Sequence, residues 1–366
     1  MATESFGLPF EVGTLSAWLV WILPFAAALI IPGVGKLSKH ATGFVAVAFA
    51  LMSALSAASM IPVALEAHEM HHQIMWIESI GLKAGVLADP VSIIMANVVG
   101  WISFLIMIYS TGYMKGDKDI PRFWFWMLFF IGSMQLIVLS DNLLQVFFGW
   151  EGVGLASYAL ISFWYRDKKK DHVGVEGRTV LGMLDYYSPT HAGMKAFIMT
   201  KVGDVMMIAG MLLIFLFAGT FGFKELMGST DWAVTMQAQG LLVPAFVLLF
   251  GGAMGKSAQF PLNEWLLEAM TGPTAVSALI HAATMVKAGV FLVARIGPLV
   301  FALGAAGIMA DQFGTEYDYD YVGNLADFKN DKAKTQSTFT LTGENGIFIE
   351  GEMTGLTFTH PIDKVS

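Results

Sequence analysis

Ionisable side chains within long apolar stretches are the residues of this sequence best suited to chemistry. Glu151 lies near the middle of the apolar stretch 142–164, close to three glycines. Lys256 belongs to a glycine-rich apolar run that Pro261 breaks. A lysine at the centre of a membrane costs about 2.5–3.5 kcal/mol, and such groups usually mark an ion or proton path. Helix breaks at membrane depth usually line a cavity. We therefore predict that Glu151 and Lys256 meet inside a membrane and exchange protonation.

Lysine suits a proton switch because its charge depends on its surroundings. Burial favours the neutral amine, whereas a nearby carboxylate favours the ammonium. An arginine would not release its proton. Two structural alternatives stay open: Glu151 reaches the surface from a tilted helix, or Lys256 only anchors Glu151.

Lys201 and Asp204 form a second pair of charges in the apolar stretch 191–218. Residues three apart share a helix face, so these two side chains are expected to pair. Lys195 lies six residues before Lys201. A transport role and a structural ion pair are both open, because charges inside membranes often pair.

His281 and Lys287 are the ionisable residues of the last long apolar stretch. Ser277 and His281 are four residues apart and share a helix face. In a continuous helix, Lys287 would point about 120° away from His281 and lie about 9 Å further along the axis. An imidazole exchanges protons near neutral pH. We predict that His281 and Lys287 are successive relay stations, with a hydrogen-bonded packing histidine as the alternative.

Membrane-spanning helices are the elements that would hold these groups. The 366 residues are 55% hydrophobic and 14% charged, with a mean hydropathy of +0.62, whereas soluble domains carry about 25% charge. Apolar stretches of spanning length recur along the chain. We therefore predict an all-α polytopic membrane protein of eight or nine transmembrane helices with a discontinuous seventh helix. The predicted spans are about 15–32, 42–64, 87–110, 122–140, 142–164, 191–218, 240–259 and 273–296.

The order of these stretches predicts four regions. Residues 1–121 hold three N-terminal helices, and residues 122–296 hold the five helices with the ionisable groups. Residues 297–313 form a short apolar helix, either a further span or a surface helix. Residues 314–366 are polar and rich in threonine and glycine, with alternation typical of a β-hairpin, which predicts an extramembrane tail.

Loop charge predicts the orientation of the chain. Basic residues concentrate in alternate loops, which are therefore expected to be cytoplasmic, with the N-terminus outside the plasma membrane. The next loop on that side, residues 260–272, carries Glu264 and Glu268 but no lysine or arginine, which indicates a re-entrant break. The basic run at 166–171 is expected to retain its loop in the cytoplasm, with attraction of anionic lipid as an alternative. The basic residues of these loops are Lys36, Lys39, Lys115, Lys118, Arg122, Arg166, Lys168, Lys169, Lys170 and Arg178.

Composition also excludes several classes of protein. The net charge of −8 argues against a nucleic-acid partner. The absence of cysteine excludes disulfides, thiolate iron–sulfur ligation and covalent haem attachment in this chain. The start of the chain lacks the features of a cleaved secretory signal, so the first apolar run is expected to be retained.

The HEMHH run at residues 68–72 matches the zinc-protease pattern H-E-x-x-H, with Glu69 in the position of the base. That pattern needs a supporting helix, a cleft and a third ligand, which a short loop does not supply. We therefore predict no metal site and no cofactor in this chain.

Three long motifs resemble one family. They are GWEGVGLASYALISFWY, SPTHAGMKAFIMTKVGD and GGAMGKSAQFPLNEWLLEAMTGPTAVSALIHAATMVKAGVFLVAR, in that order. They resemble the antiporter-like subunit L of respiratory complex I, the relative of mitochondrial chain 5. The resemblance covers residues 87–296, starting at a DPVSIIM stretch similar to the start of that family's third span.

The resemblance implies a role for each predicted residue. Glu151 matches the family's membrane glutamate, Lys256 the lysine of its broken helix, and His281 its relay histidine. Asp204 matches the aspartate of the sixth span, with Lys201 as a supporting pair. Lys287 occupies a position where several relatives place a lysine. Residues 122–296 would then form one antiporter-like five-helix repeat.

The resemblance also implies a function and partners. The chain is expected to be a proton-translocating subunit of a complex-I-like NADH:quinone oxidoreductase, without redox chemistry of its own. Quinone, flavin and iron–sulfur clusters are expected in other subunits. The expected partners are the other membrane-arm subunits of complex I and the lipid bilayer, with no nucleic acid. The family's second repeat and lateral helix have no counterpart in this sequence. The chain is therefore expected to be either one part of a split gene or a fragment, or an unusually short relative that needs a separate chain for the second repeat. The alternatives are a subunit of a multisubunit Na+/H+ antiporter or membrane hydrogenase, and a structural membrane subunit that does not pump.

Overall fold

The computed structural model describes residues 12–78, 82–180 and 183–305, together with three strands between residues 337 and 358. It divides the chain into two compact units, Met1–Leu299 and Val300–Ser366. Each unit is described by itself below.

The first unit begins with three helices, a β-hairpin and a fourth helix, in that order along the chain. Asp89 caps the fourth helix, because its side chain accepts a hydrogen bond from the backbone N–H of Ser92 at 2.8 Å and Pro90 follows it directly. The hairpin strands are antiparallel. The elements are α1 (Val12–Leu37), α2 (Lys39–Ala58), α3 (Ile61–Leu65), β1 (Met70–Ile77), β2 (Leu82–Ala88) and α4 (Pro90–Tyr113).

The middle of the unit holds three further spans and a second antiparallel hairpin. Beside this hairpin Lys169 pairs with Glu176 at 2.8 Å, and their hydrogen bond raises the pKa of the lysine and lowers that of the glutamate. The elements are α5 (Ile120–Leu139), α6 (Leu143–Ile161), β3 (Val173–Val180), β4 (Met183–Tyr187) and α7 (Pro189–Ala218).

The last part of the unit is a series of interrupted helices. At its 30 residues, α7 is about 45 Å long and exceeds the thickness of a bilayer core. After it the chain bends by 105° between α9 and α10. The elements are α8 (Phe223–Gly228), α9 (Asp231–Ala238), α10 (Leu242–Lys256), α11 (Trp265–Glu268), α12 (Thr274–Ala282) and α13 (Met285–Ala305).

The predicted all-α polytopic fold is confirmed. Among the described residues, seven helices are long and apolar enough to cross a membrane, or eight if the bent pair α9 and α10 forms one span. The break predicted after Lys256 is also present, because α10 ends at this residue and α11 follows after a non-helical segment. α11 packs against the start of α7, as a re-entrant segment would.

Three features differ from the sequence-based expectations. The hairpins β1–β2 and β3–β4 occupy segments that hydropathy left as loops. The predicted eighth span is broken at residues 283–284, between α12 and α13. α13 then runs without interruption to Ala305, so residues 297–305 continue this span and do not form a separate helix. The remainder of the predicted 297–313 helix lies outside the described residues.

In the second unit the predicted hairpin is present. Strands β5 (Ser337–Thr342) and β6 (Phe348–Thr354) pair antiparallel, and β7 (Thr357–Phe358) adds to β6.

Close helix contacts position the functional residues. α7 packs against both α6 and α10. A Cβ at Gly203 of α7 would lie 2.6 Å from the carbonyl oxygen of Gly251 in α10, and one at Gly210 would lie 2.6 Å from that of Ala245. Glycine at these positions therefore lets the two backbones approach closely.

Candidate functional site

Four charged side chains form a continuous row across α6, α7 and α10. The carboxylate of Glu151 contacts the amine of Lys201. The Nζ atom of Lys201 also lies 3.4 Å from Oδ2 of Asp204, and the same oxygen lies 3.3 Å from Nζ of Lys256. We call Glu151, Lys201, Asp204 and Lys256 the charge row. It contains two carboxylates and two amines, so it is neutral overall when all four are ionised.

Asp204 is held in place by a neighbouring tryptophan. The indole Nε1 of Trp150 donates a 2.7 Å hydrogen bond to Oδ1 of Asp204. Trp150 precedes Glu151 in α6, so α6 supplies a carboxylate to one end of the row and a fixed donor to its middle. Both oxygens of the buried Asp204 are therefore occupied.

Lys256 is fully enclosed. Its exposed fraction is 0%. Its Nζ atom lies only 2.6 Å from the position that a Cβ on Gly154 would occupy. The indole of Trp265 donates a 3.1 Å hydrogen bond to the carbonyl oxygen of Gly255, at the end of α10. Gly154 therefore provides the space for the ammonium, and Trp265 covers the helix end beside it.

Access to the row differs between its ends. The side chains of Glu151 and Lys201 are 33% and 28% exposed, whereas those of Asp204 and Lys256 are 2% and 0% exposed. A proton that arrives at Glu151 or Lys201 can therefore pass inward along short contacts to Lys256. The arrangement is suited to proton transfer between ionisable groups.

The expected direct pair between Glu151 and Lys256 is wrong. Glu151 pairs with Lys201 instead, and Lys256 pairs with Asp204. The reason is that α7 presents Lys201 and Asp204, three residues apart on one face, to the space between the two helices. Lys201 and Asp204, which were predicted as a supporting pair, thus connect Glu151 to Lys256.

His281 lies near the break between α12 and α13. Its Nε2 atom and the hydroxyl oxygen of Ser277 are buried, and within the described residues neither has a hydrogen-bond partner. Buried polar atoms usually bind a partner or an ordered water. The predicted shared face of Ser277 and His281 is present, and it is suited to a water-mediated relay.

Lys287 does not join the charge row. It is exposed on the surface of the first unit, and within the described residues its side chain forms no ion pair. The break at residues 283–284 separates it from His281, so the angle and distance expected for one continuous helix do not apply. The break after α10 and the break between α12 and α13 are connected by a hydrogen bond. Ser257 Oγ, just after α10, donates to the carbonyl oxygen of Val286 in α13 at 2.7 Å.

The structure contains a second ionic cluster, which the sequence analysis did not predict. Lys195 of α7 lies 2.6 Å from Oε1 of Glu268 and 3.0 Å from Oε2 of Glu264. His191 Nε2 lies 3.9 Å from Oε2 of Glu268. The signal in the sequence was the acidic loop among basic loops, but the pairing depends on how α11 returns to α7.

A further ion pair ties α13 to the N-terminal part of the unit. Arg295 Nη1 donates to Asp89 Oδ2 at 2.5 Å, and Arg295 Nη2 donates to Leu87 O at 3.3 Å and to Ser92 Oγ at 3.0 Å. Sequence analysis assigned no partner to Arg295. The 206 residues between the partners explain why no local pattern indicated the pair.

The HEMHH run forms no helix. His71 and His72 belong to strand β1, which removes the helical spacing that a zinc-protease motif needs. His71 Nε2 lies 3.2 Å from the buried carboxylate of Asp141, and Trp18 Nε1 donates to His72 Nδ1 at 3.2 Å. Across the described part of the chain, no three histidine or acidic side chains are grouped as metal ligands.

Two known families match the sequence of this chain. Residues 140–313 match the family described as NADH:quinone oxidoreductase/Mrp antiporter, TM. Residues 75–124 match the family described as NADH-ubiquinone oxidoreductase (complex I), chain 5 N-terminus. The charge row lies entirely within the first match.

The curated relatives include NADH-quinone oxidoreductase subunits. The chain is 38% identical over 266 residues to NADH-quinone oxidoreductase subunit L of Escherichia coli (strain K12), covering 71% of this chain and 40% of the relative. It is 44% identical over 207 residues to the subunit L of Pseudomonas aeruginosa, covering 57% of this chain and 30% of the relative. The chain thus spans less than half the length of these relatives.

Two solved structures share the fold. The Mrp complex from Dietzia sp. DQ12-45-1b matches with a TM-score of 0.58 and 24% identity over 76% of this chain and 28% of that chain. The archaeal membrane-bound sulfane sulfur reductase matches with a TM-score of 0.61 and 20% identity over 76% of this chain and 52% of that chain. On the sequence matches and the shared fold, the chain belongs to the family of antiporter-like membrane subunits that includes NADH-quinone oxidoreductase subunit L and chain 5.

Proposed function

We propose that this chain is a proton-translocating subunit in the membrane arm of a complex-I-like NADH:quinone oxidoreductase. The observation that carries the proposal is a fully buried lysine, Lys256, connected through Asp204 and Lys201 to the partly exposed Glu151. Intramembrane ionisable groups in continuous contact are typical of proton relays.

The geometry suggests how the row operates. Lys201 lies between two carboxylates, those of Glu151 and Asp204. When Lys201 pairs with Glu151, the charge of Asp204 is available to hold Lys256 as an ammonium. When Lys201 moves towards Asp204, Lys256 loses part of its counter-charge, and a buried ammonium without a counter-charge releases its proton.

The proton leaving Lys256 passes to His281 and then to Lys287. Support for this direction comes from the buried, unpartnered Nε2 atom of His281 within the described residues and from the connected interruptions at Ser257 and Val286. Lys287 is exposed on the unit, so its role in the proposal is to pass the proton on at the surface.

Electron transfer to quinone takes place in partner subunits of the membrane and peripheral arms, which hold the flavin and iron–sulfur clusters. The chain lies in the plasma membrane with its N-terminus outside, since the loops rich in lysine and arginine belong on the cytoplasmic side.

Proton uptake by membrane vesicles that contain the native complex tests the function. With NADH as electron donor, Glu151→Gln should lower the protons moved per electron, because a glutamine cannot exchange a proton with Lys201. Glu66→Gln is the matched control, since Glu66 is an exposed glutamate beyond α3. Unchanged pumping by Glu151→Gln would contradict the proposal.

The two alternatives predict other results in the same vesicles. Sodium-dependent pH changes without any electron donor would assign the chain to a cation/proton antiporter. A Glu151→Gln, Lys256→Met double variant that assembles and pumps normally would assign it a structural role.

A further inference from the structure

Glu268 of α11 is a buried carboxylate with one unoccupied oxygen. Its side chain is 6% exposed, and its Oε1 atom accepts a hydrogen bond from Lys195 at 2.6 Å. Its Oε2 atom is buried and, among the described residues, has no hydrogen-bond partner. A buried carboxylate oxygen without a donor is costly, which points to a proton or a water as its missing partner.

His191 of α7 is the titratable group that faces this oxygen. Its Nε2 atom lies 3.9 Å from Oε2 of Glu268, which is beyond a direct hydrogen bond but within reach of a small movement. The imidazole is 60% exposed and stacks on Tyr187 with ring centroids 5.8 Å apart. His191 therefore touches solvent on one side and a buried carboxylate on the other.

The other charged and titratable groups around Glu268 come from α7, from β4 and from the residue before α11. Lys195 and His191 belong to α7, Glu264 precedes α11, and Tyr187 ends β4. The Nζ atom of Lys195 also lies 5.8 Å from the centre of the Tyr187 ring. Lys195 thus pairs with both glutamates, but its single charge balances only one of them, and it supplies one hydrogen bond to Glu268.

The cluster lies at the end of the helices where the basic loops are. A Cβ on Gly272 would lie 3.1 Å from the carbonyl oxygen of Leu160, at the end of α6. The hydroxyl of Tyr113, at the end of α4, accepts a hydrogen bond from the backbone N–H of Thr274 at 3.3 Å. α11 therefore covers the ends of the helices on this side.

Two elements lead from the cluster to the charge row. Along α7, Lys195 and Lys201 are six residues apart, or about 9 Å along the axis. From α11, Trp265 donates a hydrogen bond to Gly255, the residue before Lys256. α7 and α11 thus connect the cluster around Glu268 to the helices that carry the charge row.

We propose that Glu268 is the site at which this chain takes up a proton from the basic side, with His191 as the group that collects it. The imidazolium of His191 transfers the proton from Nε2 to Oε2 of Glu268, which leaves a neutral imidazole and a carboxylic acid. The acid then gives up the proton towards the carboxylate of Glu151, the partly exposed end of the charge row, so that Glu151 becomes a carboxylic acid and Glu268 a carboxylate again. This proposal rests on the proposed function of the charge row.

A purely structural latch is the competing explanation. Lys195 would then only hold α11 on α7, and its ion pairs with Glu264 and Glu268 would contribute equally to that contact. Glu264 is the matched control because it pairs with the same lysine at 3.0 Å, but its side chain is 57% exposed. Of these two glutamates, Glu268 is the one that combines burial, an unoccupied oxygen and a facing imidazole.

Donor-driven proton uptake by native-complex vesicles separates the two explanations. Glu268→Gln should lower the rate by about tenfold or more, since transfer by a positioned acid or base contributes at least that much. Glu264→Gln should stay within about twofold of the parent rate. Equal losses in both variants, or no loss in Glu268→Gln, would overturn the proposal.

Chemical rescue tests the part assigned to His191. His191→Ala should slow proton uptake most at high pH, where free protons are scarce, and added imidazole should restore the rate of this variant without accelerating the parent. A slowed variant that imidazole does not restore, or a variant with the parent's pH profile, would contradict a proton-collecting role.

Lys256→Met in the same assay distinguishes failure of this inference from failure of the proposed function. If Lys256→Met stops pumping while Glu268→Gln pumps normally, only the uptake site is wrong. If both variants pump normally, the proposed function is wrong as well.

Discussion

Asp204 is the residue that joins the two lysines of the charge row. It lies 3.4 Å from Lys201 and 3.3 Å from Lys256, and Trp150 fixes its second oxygen. The sequence predicted Glu151, Lys201, Asp204 and Lys256 as the important charges, because each is expensive inside a membrane. It also predicted the contact between Lys201 and Asp204, but not those of Glu151 with Lys201 and of Asp204 with Lys256, because these depend on how α7 lies between α6 and α10.

Removal of the Asp204 charge should destabilise the protein as well as stop proton transfer. Asp204→Asn leaves Lys256 buried without a carboxylate, and breaking a buried pair from one side costs about 3–5 kcal/mol. We expect a lower thermal unfolding temperature of the purified complex and little proton pumping. Thermal unfolding and vesicle proton uptake measure the two effects.

The double variant Asp204→Asn, Lys256→Met is the control for this prediction. It removes the buried charge together with its partner, so it should regain much of the lost stability while pumping stays low. A double variant that is no more stable than Asp204→Asn would contradict the pairing.

At the scale of elements, the sequence predicted one helix break and missed another. Pro261 and the glycines before Lys256 indicated the end of α10. The break between α12 and α13 falls in the sequence AATM, which contains neither glycine nor proline. Tertiary contacts, including the bond from Ser257 to the carbonyl of Val286, accompany that break, and no local residue signals it.

The hairpins β1–β2 and β3–β4 were missed for a different reason. They lie between apolar stretches, where hydropathy distinguishes only membrane from loop. The alternation in each strand is short, and β3 pairs with β4 through an irregular register. Short strands of this kind depend on their partner strand, so the pattern of one strand is a weak signal.

The close contact between α7 and α10 supplies a prediction about stability. Gly203→Ala would place a Cβ 2.6 Å from the carbonyl oxygen of Gly251, so the helices must separate, at a cost of about 1–3 kcal/mol. We expect weaker complex assembly and a lower unfolding temperature, measured on purified complexes. Gly112→Ala in α4 is the matched control, because nothing lies within 4 Å of its Cβ position.

Equal stability of the two alanine variants would contradict the close packing. A loss of pumping by Gly203→Ala without any loss of stability would instead mean that the glycine acts through the nearby charge row.

At the scale of the whole molecule, composition and the spacing of apolar stretches predicted the fold class well. Long apolar helices need no distant partner to be recognised, because each must match the thickness of the membrane. The ion pair between Arg295 and Asp89 could not be predicted, since its partners are 206 residues apart in the chain. The chain also spans only about 40% of the length of the E. coli relative.

The orientation in the membrane is a prediction about the whole molecule. Because the sequence contains no cysteine, a single cysteine introduced at an exposed loop position is the only labelled thiol in this chain, which is then isolated before its labelling is read. We expect an impermeant maleimide to label Glu66→Cys in right-side-out vesicles and to label Lys170→Cys only after permeabilisation. Both positions are exposed. The reverse pattern would place the basic loops outside.

The most direct test of the account compares two substitutions of Lys256 by the ratio of protons moved to electrons transferred in native-complex vesicles. Lys256→Met removes the charge, whereas Lys256→Arg keeps a permanent positive charge beside Asp204 that cannot release its proton. We predict that both variants assemble and that both lose most of the proton-to-electron ratio. A Lys256→Arg complex that retains the parent ratio would show that Lys256 only anchors its neighbours, and would contradict proton exchange at this residue.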